Sequence, residues 1–210
     1  MKDAYRNIAG IYDRLFENMN KGLRLAGLRM FRPLEGTNIL DVGCGTGAHL
    51  ELYQRYGCNL YGIDLSPSML EVARARLGET VRLELGDATN MPYENYKFDL
   101  IISMLSLHEM MQQTRSGVIT EMKRVLKVDG HILLIDFHPG PYQPLQGWIS
   151  KVIIFFSELA AGREHFRNYR QFIATNGLFG LAVQNSLEIE KQSILAGGTF
   201  AVLFVRCKNS

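Results

Sequence analysis

The stretch that decides the fold is ILDVGCGTG, which runs from Ile39 to Gly47. A short apolar strand ends at Asp41, and the alternating glycines Gly43, Gly45 and Gly47 then lead into a helix. Glycine tolerates positive φ and lets the backbone approach a ligand closely, and the amides at a helix start have no partner within the helix. The pattern therefore predicts a ligand site at the carboxyl end of a strand.

Strand and helix patterns alternate on both sides of this loop. Apolar runs of strand length are Asn38–Val42, Asn59–Ile63, Val81–Leu85, Phe98–Ser103 and His131–Phe137, and the tail adds Leu181–Ile189 and Thr199–Arg206. Helical patterns are Ala48–Tyr56, Pro67–Leu77 and Arg115–Leu126. Ser66 can cap the second of these helices, and Pro67 suits its first turn. The alternation predicts an α/β fold with a doubly wound, mostly parallel sheet.

Composition narrows the class of protein. The chain has 210 residues, of which 47% are hydrophobic and 21% charged, as in an ordinary globular domain. Lysine and arginine number 23 against 21 acids, so the net charge of +2 gives no electrostatic footprint for nucleic acid. Three scattered cysteines predict neither a disulfide framework nor zinc, and no metal site is expected. Neither a signal peptide nor a transmembrane segment is indicated, so we expect a cytoplasmic protein.

Taken alone, the glycine loop has three interpretations. It binds a single-nucleoside cofactor, it binds a dinucleotide, or it is a structural turn. Gly43–Ala48 also fits the dinucleotide pattern GxGxx(G/A), with Asp64 about 20 residues further on, where a ribose-binding acid would lie. Asp64 and Asp87 end the next two strands, and the tail offers a hairpin in place of a second nucleotide-binding half. These features favour a ligand with one nucleoside.

Four motifs, in order along the chain, resemble those of the class I S-adenosylmethionine-dependent methyltransferases. Within this family the chain is most similar to the ubiquinone/menaquinone C-methyltransferase-like (methyltransferase type 11) branch. The motifs are ILDVGCGTG, YGIDLSPSMLEVARARL, LGDATNMPY followed by FDLIISMLSLHEM, and RVLKVDGHILLIDF, and they cover Ile39 to Phe137. The resemblance implies a Rossmann-like sheet of seven strands with the last one antiparallel, which agrees with the predicted tail. It also implies S-adenosyl-L-methionine as the cofactor.

The resemblance assigns cofactor-binding roles to residues of these motifs. Asp41 and the backbone of Gly43, Cys44 and Gly45, in the loop that ends at Gly47, would hold the methionine part of the cofactor. Asp64 would bind the ribose, and Ser103 would lie near the sulfonium. The adenine would be bound by Leu65, Met69, Asp87 and the Ala88 amide. The alternative for Asp64 is an acid that answers the dipole of the following helix, and for Asp87 an ordinary turn residue.

The two flanks of this core are less diagnostic. Tyr5–Met19 is amphipathic at helical spacing and predicts a lid whose apolar face, with Tyr12, closes over the cofactor. Leu145–Leu159 and Arg167–Thr175 predict further helices. We expect one methyltransferase domain over residues 1–210. It would comprise an N-terminal helical cap (1–32), a cofactor-binding core (38–137), a helical acceptor-side segment (141–176) and a C-terminal strand pair (178–208).

Methyl transfer from a sulfonium needs alignment and a dry pocket, and a general base only if the acceptor must lose a proton. His108, just past the fourth strand, is the candidate catalytic residue; the alternative is that it packs under the next helix and shapes the pocket. Aromatic residues in the flanks predict an apolar acceptor pocket. The stretch GREHFRNYRQFI contains Arg163, His165, Arg167, Tyr169 and Arg170, which could meet an anionic or phenolic group. The alternative is that its basic residues form a solvated surface.

The sequence therefore predicts methyl transfer to a small, apolar or aromatic acceptor, with no nucleic acid as partner. A nucleic-acid or protein methyltransferase is the first alternative, but SMLS stands where an Asn/Asp-Pro-Pro-Tyr-type motif would be expected. A non-catalytic S-adenosylmethionine-binding partner subunit and an NAD-dependent oxidoreductase are the others. An apolar helix face also leaves peripheral contact with a membrane open.

Overall fold

A computed structural model describes residues 9–141 and 162–208, with side chains from residue 20 onward. Seven strands form one sheet in the order β3-β2-β1-β4-β5-β7-β6. Only β7 runs antiparallel to the others. The predicted doubly wound α/β fold with an antiparallel last strand is confirmed. The strands are β1 (Asn38–Val42), β2 (Asn59–Asp64), β3 (Arg82–Leu85), β4 (Phe98–Met104), β5 (Leu126–Phe137), β6 (Leu187–Leu195) and β7 (Phe200–Cys207).

Six described helices pack around this sheet or extend from it: α1 (Ala9–Met30), α2 (Ala48–Gln54), α3 (Pro67–Leu77), α4 (Gln112–Val125), α5 (Arg163–Ala174) and α6 (Gly177–Gln184). The bounds of α3 match the prediction because its start signal is strong. Ser66 Oγ accepts a hydrogen bond from the Met69 amide at 3.2 Å, and Pro67 occupies the first turn. Within the described residues, no helix is long and apolar enough to cross a membrane.

The central strands are buried on both faces, as their continuous apolar runs predict. Ile39, Leu40 and Val42 of β1 and the run Ile132–Ile135 of β5 are fully buried. The strand order reverses between β1 and β4. In such sheets a crevice opens at the carboxyl ends of the two strands where the order reverses. The glycine loop follows β1 directly, so the topology places it at this crevice.

Helix α1 differs from the predicted lid. It continues to Met30 instead of ending at Met19, and its second half packs on the sheet. A Cβ at Gly27 would lie 2.8 Å from Leu133 Cδ2, so this glycine lets the helix approach β5 closely. The C-terminal half of α1 is therefore part of the core. Tyr5 and the side chain of Tyr12 lie outside the described residues, and closure of a lid stays a prediction.

The tail also departs from the prediction. Gly177–Gln184 is helical where a strand was expected to begin at Leu181, and β6 begins only at Leu187. The segment 178–208 therefore contains a helix before its two strands. A short apolar run fits a buried helix as well as a buried strand. The predicted helix at Leu145–Leu159 lies outside the described residues.

Two glycines of α1 allow a paired test of how the helix packs. We expect Gly27→Leu to destabilise the fold by about 1–3 kcal/mol, because the new side chain overpacks the contact with β5. Gly22 is exposed and has open space around it, so Gly22→Ala should raise stability by up to about 1 kcal/mol through helix propensity. Denaturant unfolding measures both; equal effects of the two substitutions would contradict this packing.

Candidate functional site

A cavity of about 850 Å³ opens at the carboxyl ends of β1, β2 and β4. This volume lies in the range of small-molecule sites. The cavity wall includes the glycine loop, the turns after β2, β3 and β4, and side chains from α1 and α5. It therefore joins the motifs that the sequence placed at three separate strand ends.

The glycine loop requires glycine for different reasons at each position. Gly43, Gly45 and Gly47 all have positive φ, of 73°, 52° and 75°. A Cβ at Gly43 would lie 2.8 Å from Ser106 Cβ, and one at Gly47 would lie 2.5 Å from Leu77 Cδ1. Around Gly45 there is open space instead, because this residue faces the cavity. The loop thus packs tightly on its protein side and presents bare backbone to a ligand.

Asp64 fastens this loop to the next strand. Its Oδ2 accepts a hydrogen bond from the Gly45 amide and its Oδ1 one from the Ser66 amide, both at 2.8 Å. The same carboxylate lines the cavity. Asp64 therefore has a structural role, because it holds two turns in place, and its carboxylate also faces the space for a ligand.

The inner end of the cavity contains buried polar groups. Asp41 is 2% exposed, and its Oδ1 has no hydrogen-bond partner among the described residues; the same holds for Asn20 Oδ1 and both ring nitrogens of His49. Burial, with Asp64 as a second cause, raises the pKa of Asp41 to about 7, while Arg24 opposes the rise. Burial, helped by Arg24, lowers the pKa of His49 to about 3, so its imidazole is neutral. A ligand carrying an ammonium and a carboxylate would satisfy these groups.

The opposite end of the cavity is open. Asp87 is exposed, and its Oδ1 accepts hydrogen bonds from the amide and the hydroxyl of Thr89, both at 2.8 Å. Leu65 is half exposed and Met69 is buried, and both line this wall. Two apolar side chains and an acid at a strand end form a slot that an aromatic ring with an amino group would fit.

The structure brings most of the predicted cofactor-binding residues to one wall: Asp41, Gly43, Cys44, Gly45, Asp64, Leu65, Met69, Asp87 and Ala88. Gly47 and Ser103 lie behind it. Ser103 is buried, and its hydroxyl is 2.8 Å from that of Ser106, which does line the cavity. Sequence reasoning missed Asn20, Arg24 and His49. The signal for the first two was a polar pair four residues apart, which places both on one helix face.

Cys44 packs as a small residue of the loop. Its Sγ would lie 2.8 Å from a Cβ at Gly62, so the thiol fills the space over that glycine. Burial, followed by the charges of Asp41 and Asp64, raises the pKa of the Cys44 thiol well above its usual value. A thiol in this state is a poor nucleophile, so the side chain of Cys44 serves packing.

Beyond the glycine loop the wall becomes more apolar, with Met104, Leu105, Met110, Met111 and Val118. Leu105 has a φ of 53°, and its amide donates a hydrogen bond to the Ile135 carbonyl at 2.8 Å. Non-glycine residues in this conformation are uncommon and concentrate at functional sites. The turn after β4 is thus held in a strained shape beside the cavity.

His108 follows this turn but is not itself on the described wall. It is 3% exposed, and its Nδ1 donates a hydrogen bond to Asp136 Oδ1 at 2.7 Å. Its ring packs edge-on against Phe137 at 4.6 Å between centroids. The neighbouring residue, Glu109, does line the cavity, and its Oε1 is 4.0 Å from His108 Nε2.

Helix α5 turns an acid and an amide toward the cavity. Glu164 and Asn168 line it, and Asn168 Nδ2 donates a hydrogen bond to the Glu109 carbonyl at 2.7 Å. The arginines of this stretch are not among the residues that line the cavity, as the surface interpretation predicts. Arg163, Arg167 and Arg170 line a separate groove, because helical spacing puts them on another face of α5.

The strand order and the cavity define a Rossmann-like fold that binds a nucleoside-containing cofactor. A family model described as a methyltransferase domain matches residues 40–134. The demethylmenaquinone methyltransferase of Clavibacter sepedonicus is 32% identical over 143 residues, which are 65% of this chain and 58% of that protein. The chain therefore spans about three fifths of the length of this relative.

Solved structures agree on the fold. A protein of Pyrococcus horikoshii has a TM-score of 0.72 at 18% identity, with 99% of this chain and 100% of that one covered. An S-adenosylmethionine-dependent methyltransferase of Mesorhizobium loti has a TM-score of 0.62 at 20% identity, with 87% and 96% covered. The family model and the relatives support a class I S-adenosylmethionine-dependent methyltransferase of the menaquinone and ubiquinone C-methyltransferase-like branch. The predictions of this family and of its cofactor, S-adenosylmethionine, are confirmed.

Proposed function

We propose that this protein transfers a methyl group from S-adenosylmethionine to a small, apolar or aromatic acceptor. The observation that carries the proposal is the buried polar end of the cavity. Asp41 suits the ammonium of the methionine part and Arg24 its carboxylate, and the unsatisfied Asn20 Oδ1 accepts a further hydrogen bond. Asp64 would then take the ribose hydroxyls, and Asp87 the amino group of the adenine.

The charges of the same wall disfavour a dinucleotide. A pyrophosphate would lie against the glycine loop, where Asp41 and Asp64 both place carboxylates on the cavity. Two acids at this position repel a doubly charged anion, whereas a cationic sulfonium ligand is attracted. The arrangement therefore favours S-adenosylmethionine over NAD.

The part that the chain plays in methyl transfer is alignment. S-adenosylmethionine, when bound, supplies a methyl group on a sulfonium, which is reactive enough that the protein need only position an acceptor in line. The space beside the cofactor is bordered by the loop that contains Leu105 and by two side chains, Met104 and Met110. This apolar border would exclude water from the space. An apolar or aromatic acceptor fits this lining, and the similarity to demethylmenaquinone methyltransferases supports an acceptor of the quinol class.

The test of the proposal is selective stabilisation by the cofactor. At a hundred times its dissociation constant, S-adenosylmethionine or S-adenosylhomocysteine should add about 2.7 kcal/mol to the free energy of unfolding. NAD at the same concentration should add nothing. Thermal melts followed by calorimetric titration measure both, and methyl transfer is then assayed on quinols, phenols and amines. Stabilisation by NAD alone would refute the assignment.

Cofactor affinity is also expected to depend on pH through Asp41. The ammonium binds the carboxylate form, and with a pKa of about 7 only a small fraction of Asp41 is a carboxylate at pH 6. Affinity should therefore rise with pH and be about eightfold tighter at pH 7.5 than at pH 6, with protons released on binding. Asp41→Asn is the control, since it should bind more weakly and lose this dependence. A wild-type affinity that falls over this range would contradict the role of Asp41.

A further inference from the structure

Three possible metal ligands meet beside the apolar side of the cavity, here called the acceptor end, and Glu109 is the one of the three that lines the wall. His108 and Glu109 lie on the short 3-10 turn Leu107–Glu109 after β4, and His165 lies in the first turn of α5. Each offers one ligand atom, and the three atoms lie within 4.8 Å of one another. Sequence spacing does not reveal this cluster, because His165 is distant along the chain and no spacing motif links it to the other two.

Asp136 fixes the orientation of the first histidine. It is fully buried at the end of β5, and its two oxygens accept hydrogen bonds from the backbone amides of His108 and Phe137 as well as from His108 Nδ1. Since Nδ1 points to this carboxylate, Nε2 is the nitrogen that points toward Glu109, 4.0 Å away. A carboxylate behind the far nitrogen is the usual support of a metal-binding histidine, where it sets the tautomer and the ring orientation.

The elements that carry the three side chains are held together. Arg115 is buried and donates hydrogen bonds to the Leu107 carbonyl at 2.9 Å and to the Met110 carbonyl at 2.8 Å, one on each side of the turn. Asn168 joins α5 to the same turn through the Glu109 carbonyl at 2.7 Å. Ligands on supported elements can keep the geometry that a cation demands.

We propose that His108, Glu109 and His165 bind a first-row divalent transition-metal cation, for which Zn²⁺ is the probe. Two imidazoles and one carboxylate suit zinc, iron or nickel better than magnesium or calcium, which prefer oxygen ligands. Three protein ligands leave at least one coordination position for water or for a ligand oxygen. Glu109 lines the cavity, so that position lies near the acceptor space.

The metal site also indicates the class of acceptor, an inference that rests on the proposed function. A cation here would bind an oxygen of the acceptor and lower the pKa of its hydroxyl, as zinc does for bound water. The acceptor would then be an oxygen-bearing compound such as a phenol or enol. His108 would act as a metal ligand in place of the general base predicted from the sequence.

The test measures metal binding by the full chain after treatment with a chelator. Calorimetric titration should show one equivalent of Zn²⁺, and Co²⁺ should give the visible absorption of a nitrogen- and oxygen-ligated ion. His165→Ala and Glu109→Gln should each weaken Zn²⁺ binding at least a hundredfold, and Asp136→Asn 10- to 100-fold. His165 and Glu109 are only partly buried, so their variants should keep the fold, which thermal melts check.

His131→Ala is the matched control. His131 Nε2 is 3.1 Å from Glu190 Oε2 at the sheet surface, so this variant removes a histidine from another histidine–carboxylate pair. It should bind Zn²⁺ like the wild type. Absence of stoichiometric binding, or unchanged affinity in His165→Ala, would overturn the metal site. S-adenosylmethionine binding is titrated in parallel on the metal-free protein, and its loss would count against the proposed function instead.

Discussion

Replacing Asp64 with alanine is expected to weaken S-adenosylmethionine binding by about 1.5–3 kcal/mol, or roughly 10- to 150-fold, because hydrogen bonds to a charged group are lost. The upper part of this range is expected. The substitution removes the acceptor for the ribose hydroxyls and, in addition, the bonds that hold the Gly45 and Ser66 amides at 2.8 Å. The glycine loop then has to be ordered at the expense of binding energy.

A conservative variant separates these two contributions. Asp64→Asn keeps one oxygen for a backbone amide but loses the charge, so its affinity should fall between wild type and alanine. Asp129→Ala is the control for removal of an acid, since Asp129 is exposed near the amino end of β5 and is not on the cavity wall. Calorimetric titration gives the affinities, and melts confirm the fold. Equal affinity of wild type and Asp64→Ala would contradict the assignment of the ribose site.

The elements that the sequence predicted best are those whose cause is local. The start of helix α3 was predicted correctly because Ser66 and Pro67 mark it locally. The glycine loop was identified because the positive φ of Gly43 and Gly47 favours one residue type, which the sequence shows directly. Strands buried on both faces were recognised because burial itself requires a continuous apolar run.

The features that the sequence could not supply depend on contacts between distant segments. Nothing near Gly27 shows that α1 packs on β5, and the helix was therefore ended too early. The apolar run at Gly177–Gln184 has the composition of either a strand or a helix, and tertiary packing decides between them. Arg24 enters the cavity only because that packing directs one face of α1 toward Asp41.

The side chains at the acceptor end also depend on contacts between distant segments, which the sequence does not show. The arginines of α5 were conspicuous in the sequence, yet the face of α5 toward the cavity carries Glu164 and Asn168. An acidic and amide lining opposes an anionic acceptor and suits a neutral one or a bound cation. The direction of a helix face, which no residue count reveals, thus removes the arginines from the acceptor end and leaves the predicted apolar or aromatic acceptor.

Replacing His108 with alanine is expected to lower turnover at least a hundredfold while cofactor affinity stays within about threefold, since loss of a group that handles the acceptor proton costs 10²–10⁴ in rate. His108 lies behind Glu109 at the acceptor end, away from the loop and acids assigned to the cofactor. The variant also removes the hydrogen bond between the imidazole and the buried Asp136 Oδ1. The melting temperature should therefore fall. Turnover is therefore normalised to the folded fraction.

His138→Ala is the matched control for this variant. His138 also follows a strand at the ligand end of the sheet, but its Nδ1 lies 2.9 Å from the Gly198 carbonyl, which indicates a local structural role, so its turnover should stay near wild type. If His108 only packs beneath the turn, His108→Ala will melt earlier and yet turn over normally per folded molecule, which would contradict a role in the reaction. A base and a metal ligand predict the same loss of turnover. The zinc titration distinguishes the two roles, because His108→Ala lowers the affinity for Zn²⁺ only if His108 is a metal ligand.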